Sequence, residues 1–222
     1  MADLVIILPI LLFSVIVHEI AHGWVALKCG DPTARDAGRL TLNPIPHIDP
    51  IGSIVFPVIA RIVGFIPLAW AKPVPVNPYL LRGGEKDHVK VSFAGPASNI
   101  LLAMAAFVLS LIVSFIARVT ASSAIWSLIG LLNVVVFINL ILANFNLLPI
   151  PPLDGSWIMA YFLKGEVKRS YQSLRRYGFL ILILFLMLGS RIRVGGTNLF
   201  DLLFIPSIKI SQLCKTVQLH LI

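Results

Sequence analysis

Ser14-Val15-Ile16-Val17-His18-Glu19-Ile20-Ala21-His22-Gly23 lies inside an apolar run from Leu4 to about Leu27. Its centre reads H-E-x-x-H. On an α-helix, His18 and His22 are one turn apart and share a face, so their imidazoles can reach one metal ion. Glu19 then stands beside that ion as a general base toward water. The run of about 24 residues is long enough to cross a bilayer core of roughly 30 Å at 1.5 Å per residue. Two histidines and a carboxylate inside such a helix are costly and call for a functional reason. The plainer alternative, packed histidines with hydrogen-bonded rings, accounts poorly for a carboxylate between them in an apolar span.

Outward from this stretch the whole chain is apolar. Of its 222 residues 58% are hydrophobic and 13% charged, and the mean hydropathy is +0.92. This predicts an all-α integral membrane protein, a polytopic bundle of about four to six transmembrane helices. One membrane domain over residues 1–222 is the economical reading, since no separate soluble module fits beside the spans. The net charge of +8 belongs to loops on the cytoplasmic side, and no aromatic-basic stripe points to nucleic acid. Cys29 and Cys214 are far apart and are expected as free thiols. Met1-Ala2-Asp3 lacks the basic start of a signal peptide, so the first helix is expected to stay in the mature protein.

Lys28, Arg35 and Arg39 follow the first helix and place its C-terminal end in the cytoplasm. Gly38-Arg39-Leu40-Thr41-Leu42-Asn43-Pro44 is turn-rich, with a short alternating piece, Arg39 to Leu42, that can pair as a strand. Ile51 to Trp70 is interrupted by Pro57, Arg61, Gly64 and Pro67, and basic residues flank both of its ends. It is expected to enter the membrane and return rather than cross. Ala71 to Pro78 is extended by its prolines. Spans are expected over about Val91–Ala117 and Ile125–Leu148. The first opens on Gly95-Pro96-Ala97-Ser98-Asn99, where small residues permit close helix approach. The second carries Asn133, Asn139, Asn144 and Asn146 and ends in Pro149-Ile150-Pro151-Pro152-Leu153-Asp154-Gly155, which breaks the helix. Beyond it come a short apolar helix at Trp157–Leu163, a basic loop, a short apolar piece at Tyr177–Leu188, and a last one at Leu199–Ile210 interrupted by Pro206.

A catalytic zinc takes three protein ligands and leaves one position open. His18 and His22 supply two. Asp154, His47, Asp49, His88 and Glu85 compete for the third place. Asp154 is the best physical candidate, because a carboxylate at membrane depth needs a cation.

H-E-x-x-H in the first span, G-P-x-x-N opening a later one, and N-x-x-P-x-P-x-L-D-G after the next together resemble the site-2 protease family. The residues are His18, Glu19 and His22; Gly95, Pro96 and Asn99; and Asn146, Pro149, Pro151, Leu153, Asp154 and Gly155. Gly38–Pro44 and Ala71–Pro75 are similar to the compact bacterial branch, which lacks PDZ and CBS modules. The resemblance covers about residues 4–162 and leaves 163–222 as accessory helices. It implies an intramembrane zinc endopeptidase of the cell membrane, with its active site toward the cytoplasm and one Zn2+ per chain held by His18, His22 and Asp154. Glu19 is then the catalytic base, and Asn146 and Asn99 bind the substrate backbone or the oxyanion. It also implies a substrate that is itself a transmembrane helix, locally unwound and held by β-pairing along Gly38–Pro44 or Ile51–Trp70. The competing classes are a membrane scaffold or chaperone on a dead protease fold, against which the intact Glu19 speaks, and a metal transporter, for which repeats are missing.

Overall fold

The computed structural model describes residues 2–49, 71–118, 120, 122–189 and 191–220. The expected re-entrant element at Ile51–Trp70 lies outside them. Contacts divide the chain into two compact units, 1–95 and 96–222, and the division falls inside one long helix.

The first unit begins with α1 (Ala2–Lys28). Pro9 lies inside it, past the first turn, and removes one i→i−4 hydrogen bond there. Ser14, His18, His22 and Ala26 are buried at four-residue spacing and form its inward stripe, whereas Leu8, Leu12, Phe13 and Trp24 face outward. A one-turn helix α2 (Thr33–Asp36) follows. Residues 39–44 are bends and irregular backbone, not the strand expected at Arg39 to Leu42; alternation gave this piece a strand-like pattern, but no described strand pairs with it. A 3-10 turn at Ile45–His47 comes next. The proline-rich residues 71–77 form an extended strap. Gly23 is required where it stands, because a Cβ there would meet the side chains of Leu40, Ala34 and Val74. Helix α3 (Glu85–Ala117) starts in this unit, and its Val91 packs with Ala26 and Leu81.

The second unit holds the rest of α3, then α4 (Ser123–Asn146), α5 (Asp154–Phe162), α6 (Gly165–Ser173) and α7 (Gly178–Leu188). A two-residue ladder follows, β1 (Arg193–Val194) against β2 (Thr197–Asn198). Its turn is Gly195-Gly196, both at positive φ. The last element is α8 (Leu199–His220). Ala106, Val113, Ala117, Ile129, Leu132 and Val136 form the core between α3 and α4.

Helix α8 runs antiparallel along α4 and is tied to it by polar groups. Asn144 donates to the Leu203 carbonyl at 2.7 Å, Ser207 to the Leu140 carbonyl at 3.1 Å, and Asn133 to the Gln218 side chain at 2.9 Å. Gln218 in turn donates to Ser114 on α3 at 2.9 Å. The expected interruption at Pro206 does not occur: Pro206 lies inside the helix. Pro206 cannot serve the Leu202 carbonyl, and the neighbouring Asn144 and Ser207 bonds hold the helix together across that point.

Among the described residues, four helical stretches are long and apolar enough to cross a membrane: Ile6–Lys28, Glu85–Ala117, Ser123–Asn146 and Gly165–Leu188. Their outward residues are apolar; Leu101 is 64% and Phe115 68% exposed. Exteriors of this kind face lipid rather than water. The chain is thus an all-α polytopic membrane protein. Both cysteines are free.

Candidate metal centre

Within the first unit, His18 and His22 are both buried on the inward face of α1. Their rings meet edge to face with centroids 4.7 Å apart. Their Nε2 atoms are 3.0 Å apart. Nδ1 of His22 donates to the Val91 carbonyl of α3 at 2.6 Å. That bond fixes the tautomer and leaves Nε2 of His22 with its lone pair toward His18. Two ring nitrogens at this distance need a shared proton or a shared cation. Two imidazoles on one tetrahedral zinc have nitrogens about 3.3 Å apart, from bonds of about 2.0–2.1 Å. The pair therefore fits zinc in spacing, in donor type and in the orienting hydrogen bond behind it.

Glu19, the residue after His18, reaches the strap. Its Oε2 accepts from the Val74 amide at 2.7 Å. Pro73 and Pro75 on either side have no N–H, so Val74 is the one donor of that tripeptide. The strap is fixed at its other residues as well. Lys72 donates its amide to the His47 carbonyl at 2.8 Å, and its own carbonyl accepts from Arg39 at 2.6 Å. Asn77 donates its amide to Asp31 Oδ2 at 2.6 Å.

Asp31 is fully buried. Its other oxygen accepts from both the amide and the hydroxyl of Thr33. Burial pushes this carboxyl up, but the bonds from the Thr33 hydroxyl and from the Asn77 and Thr33 amides outweigh burial and leave it below its ordinary value. A lowered folded-state pKa means stabilisation that is complete above the ordinary carboxylate range and lost as pH falls through the folded value. Asp31→Ala is expected to lower the unfolding free energy by about 1–3 kcal/mol at neutral pH. In denaturation curves recorded against pH, that difference from wild type should be flat at neutral pH and shrink below about pH 4. A difference that grew on acidification would contradict the assignment.

Of the other ligand candidates, His47 is fully buried and bonds through Nε2 to the Thr41 carbonyl at 2.9 Å. It braces the bend that carries the strap. Among the described residues, none of His47, Asp49, Glu85 and His88 joins His18 and His22 in a group of three metal-ligating side chains.

In the second unit Asp154 is the first residue of α5 and is partly buried. The positive end of a helix favours a carboxylate there. Gly155 lets the helix start press onto the end of α4, since a Cβ would collide with the Leu147 and Leu148 carbonyl oxygens. Tyr171 of α6 donates to the Pro149 carbonyl at 2.8 Å and pins the proline loop. Asn146 is partly exposed and donates to the Leu142 carbonyl at 3.0 Å. Asn99 is fully buried and donates to Asn139 Oδ1 at 2.9 Å, between α3 and α4.

Three contributors were not singled out in the sequence: Val74, Asp31 and the Val91 carbonyl. Only the Pro-x-Pro spacing around Val74 signalled an isolated amide.

The chain is similar over residues 112–189 to the model of Peptidase family M50. It is 38% identical over 184 residues to "Putative zinc metalloprotease YwhC" of Bacillus subtilis, covering 81% of each chain. It is 32% identical over 176 residues to "Putative zinc metalloprotease Rip2" of Mycolicibacterium smegmatis, covering 79% of this chain and 64% of that one. The Rip2 of Mycobacterium tuberculosis is 30% identical with the same coverage. No solved structure matches the chain.

Proposed function

The chain belongs to peptidase family M50, the site-2 proteases, as a zinc metalloprotease, and from that premise we propose that it hydrolyses peptide bonds within or beside transmembrane segments of other membrane proteins. The observation that carries this reading is the pair of buried imidazoles, Nε2 to Nε2 at 3.0 Å, on a helix of membrane length with Glu19 next to them. A soluble substrate has no ready route to such a pair; a helix already in the bilayer does.

In this reading His18, His22 and Asp154 hold the metal, two buried imidazoles and a partly buried carboxylate. Asp154 is supported by donor type and by its place at a helix start. A bound zinc supplies Lewis acidity, which makes water nucleophilic at neutral pH and polarises the scissile carbonyl. Glu19 takes a proton from the attacking water and delivers it to the leaving amide nitrogen. Val74 holds one Glu19 oxygen, so the other is oriented for that transfer. Asn146 donates to the carbonyl oxygen as negative charge develops on it. Asn99, paired with Asn139, braces α3 on α4.

The units act as one membrane domain, residues 1–222, with 163–222 as accessory helices. The basic residues after α1 and in α6 support a cytoplasmic active site in the cell membrane. Partners are the lipid bilayer and the substrate helix; nucleic acid is not among them.

The test is a transmembrane peptide reconstituted in vesicles with the purified chain. Cleavage should stop when a chelator removes the zinc and return when zinc is added back. Mass spectrometry should place the cut within or beside the membrane segment. Cleavage that persisted in verified zinc-free protein would refute the metal mechanism, and cuts confined to soluble tails would refute the intramembrane assignment.

A further inference from the structure

The turn Val91–Gly95 of α3 lies against the histidine pair through two different atoms. Val91 offers its carbonyl to His22 Nδ1. Four residues on, and so on the same face of the helix, Gly95 offers only its Cα. A Cβ built on Gly95 meets three atoms first, and all three are imidazole atoms: Nε2 of His22, and Cε1 and Nε2 of His18. It would stand at nearly equal distances from the two Nε2 atoms. Any ion bound by both nitrogens must lie on the plane midway between them, and that Cβ would occupy nearly the same plane.

We propose that Gly95 is the clearance residue of the metal centre: its missing side chain keeps the space shared by His18 Nε2 and His22 Nε2 open to the ion. The inference rests on the zinc reading of that pair. Gly is a poor choice for a helix interior, where Ala is favoured, and Gly95 sits eleven residues into α3. Close packing alone asks only for a small residue, and Ala103 and Ala106 meet that need further along α3. At residue 95 even a methyl group is too large, because what it meets is the ligand pair. The single turn then does two things. Val91 aims His22, and Gly95 leaves the aimed nitrogen uncovered. A methyl at 95 would block the shared position or push α3 outward, and the push would lengthen the Val91 bond that orients His22.

The experiment compares full-length wild type and Gly95→Ala, purified in detergent, by zinc titration and by the visible absorption of bound Co2+. Circular dichroism monitors folding. Wild type should bind about one zinc per chain, and Gly95→Ala should lose at least about tenfold in affinity, the scale of losing an orienting partner, with helix content kept. Equal affinity in the two proteins overturns the inference. A wild type that binds no zinc refutes the underlying zinc reading instead.

Gly95→Ala is also placed in a His18→Ala/His22→Ala background, which removes all three atoms that the Cβ meets. There it should leave the thermal midpoint unchanged or raise it, as Ala does in a helix interior. If Gly95→Ala destabilises or unfolds the protein equally in both backgrounds, the residue serves packing and the proposal falls.

Discussion

Glu19→Gln lowers turnover of a reconstituted transmembrane peptide by roughly 10²- to 10⁴-fold while zinc content stays at the wild-type level. The range is that of one positioned acid-base group and corresponds to about 2.7–5.4 kcal/mol of transition-state stabilisation. The substitution is well suited to this position. Glu19 Oε2 accepts from Val74 N at 2.7 Å, and a glutamine carbonyl can accept the same bond. The strap and the inward face of α1 therefore keep their packing. What Gln lacks is the ability to take a proton from water. Insertion, zinc content and substrate binding should be preserved, and the loss should fall on kcat rather than on KM. Retention of wild-type turnover would remove Glu19 as the catalytic base, whereas a wild type without turnover would favour a scaffold on the same fold.

Asp154→Ala acts on a different quantity. With two imidazoles remaining, a tetrahedral site is one protein ligand short. Replacing a mere orienting partner of a ligand costs about 10- to 100-fold in metal affinity, so removal of a ligand should cost more than that. Metal analysis after dialysis against trace zinc should find the variant largely metal-free and inactive, and millimolar zinc should restore little of the activity. His47→Ala is the control. Its imidazole braces the Thr41 bend, so it should cost stability without emptying the site. Full zinc content in Asp154→Ala would remove Asp154 from the ligand set. The two results are separable, because Glu19→Gln leaves metal and loses rate, and Asp154→Ala loses both.

What could be read from the amino acids follows from how local each signal is. H-E-x-x-H needs only helical spacing, so the facing imidazoles of His18 and His22 were legible without tertiary knowledge. The long spans were legible from length and apolarity, and α3 differed only in starting at Glu85 rather than near Val91. The pieces read wrongly had local patterns overridden at a distance. Arg39 to Leu42 alternates like a strand, but a strand needs a neighbour to pair with, and these residues bend instead. Pro206 looks like a break, yet Asn144 from 59 residues earlier holds the adjoining carbonyl. The Val74–Glu19 bond spans 55 residues, and neither its acceptor nor the approach of Gly95 to the histidines is marked locally. Glycine and the amide between two prolines are informative only once something is known to stand next to them.

The tie between α4 and α8 also has a history within each round of synthesis. Asn144 and its acceptor are 59 residues apart, and Asn133 and Gln218 are 85 apart. At roughly 5 to 20 residues per second, α4 exists for about 3 to 17 seconds before its partner has been made. During that interval two carboxamides on a nascent apolar helix have no α8 to bond. Each is costly in hydrocarbon. Until α8 is made, Asn133 and Asn144 can fall back on carbonyls of their own helix, as Asn139 and Asn146 do toward Val135 and Leu142. Residues translated after α4 thus complete the hydrogen bonding of that earlier helix.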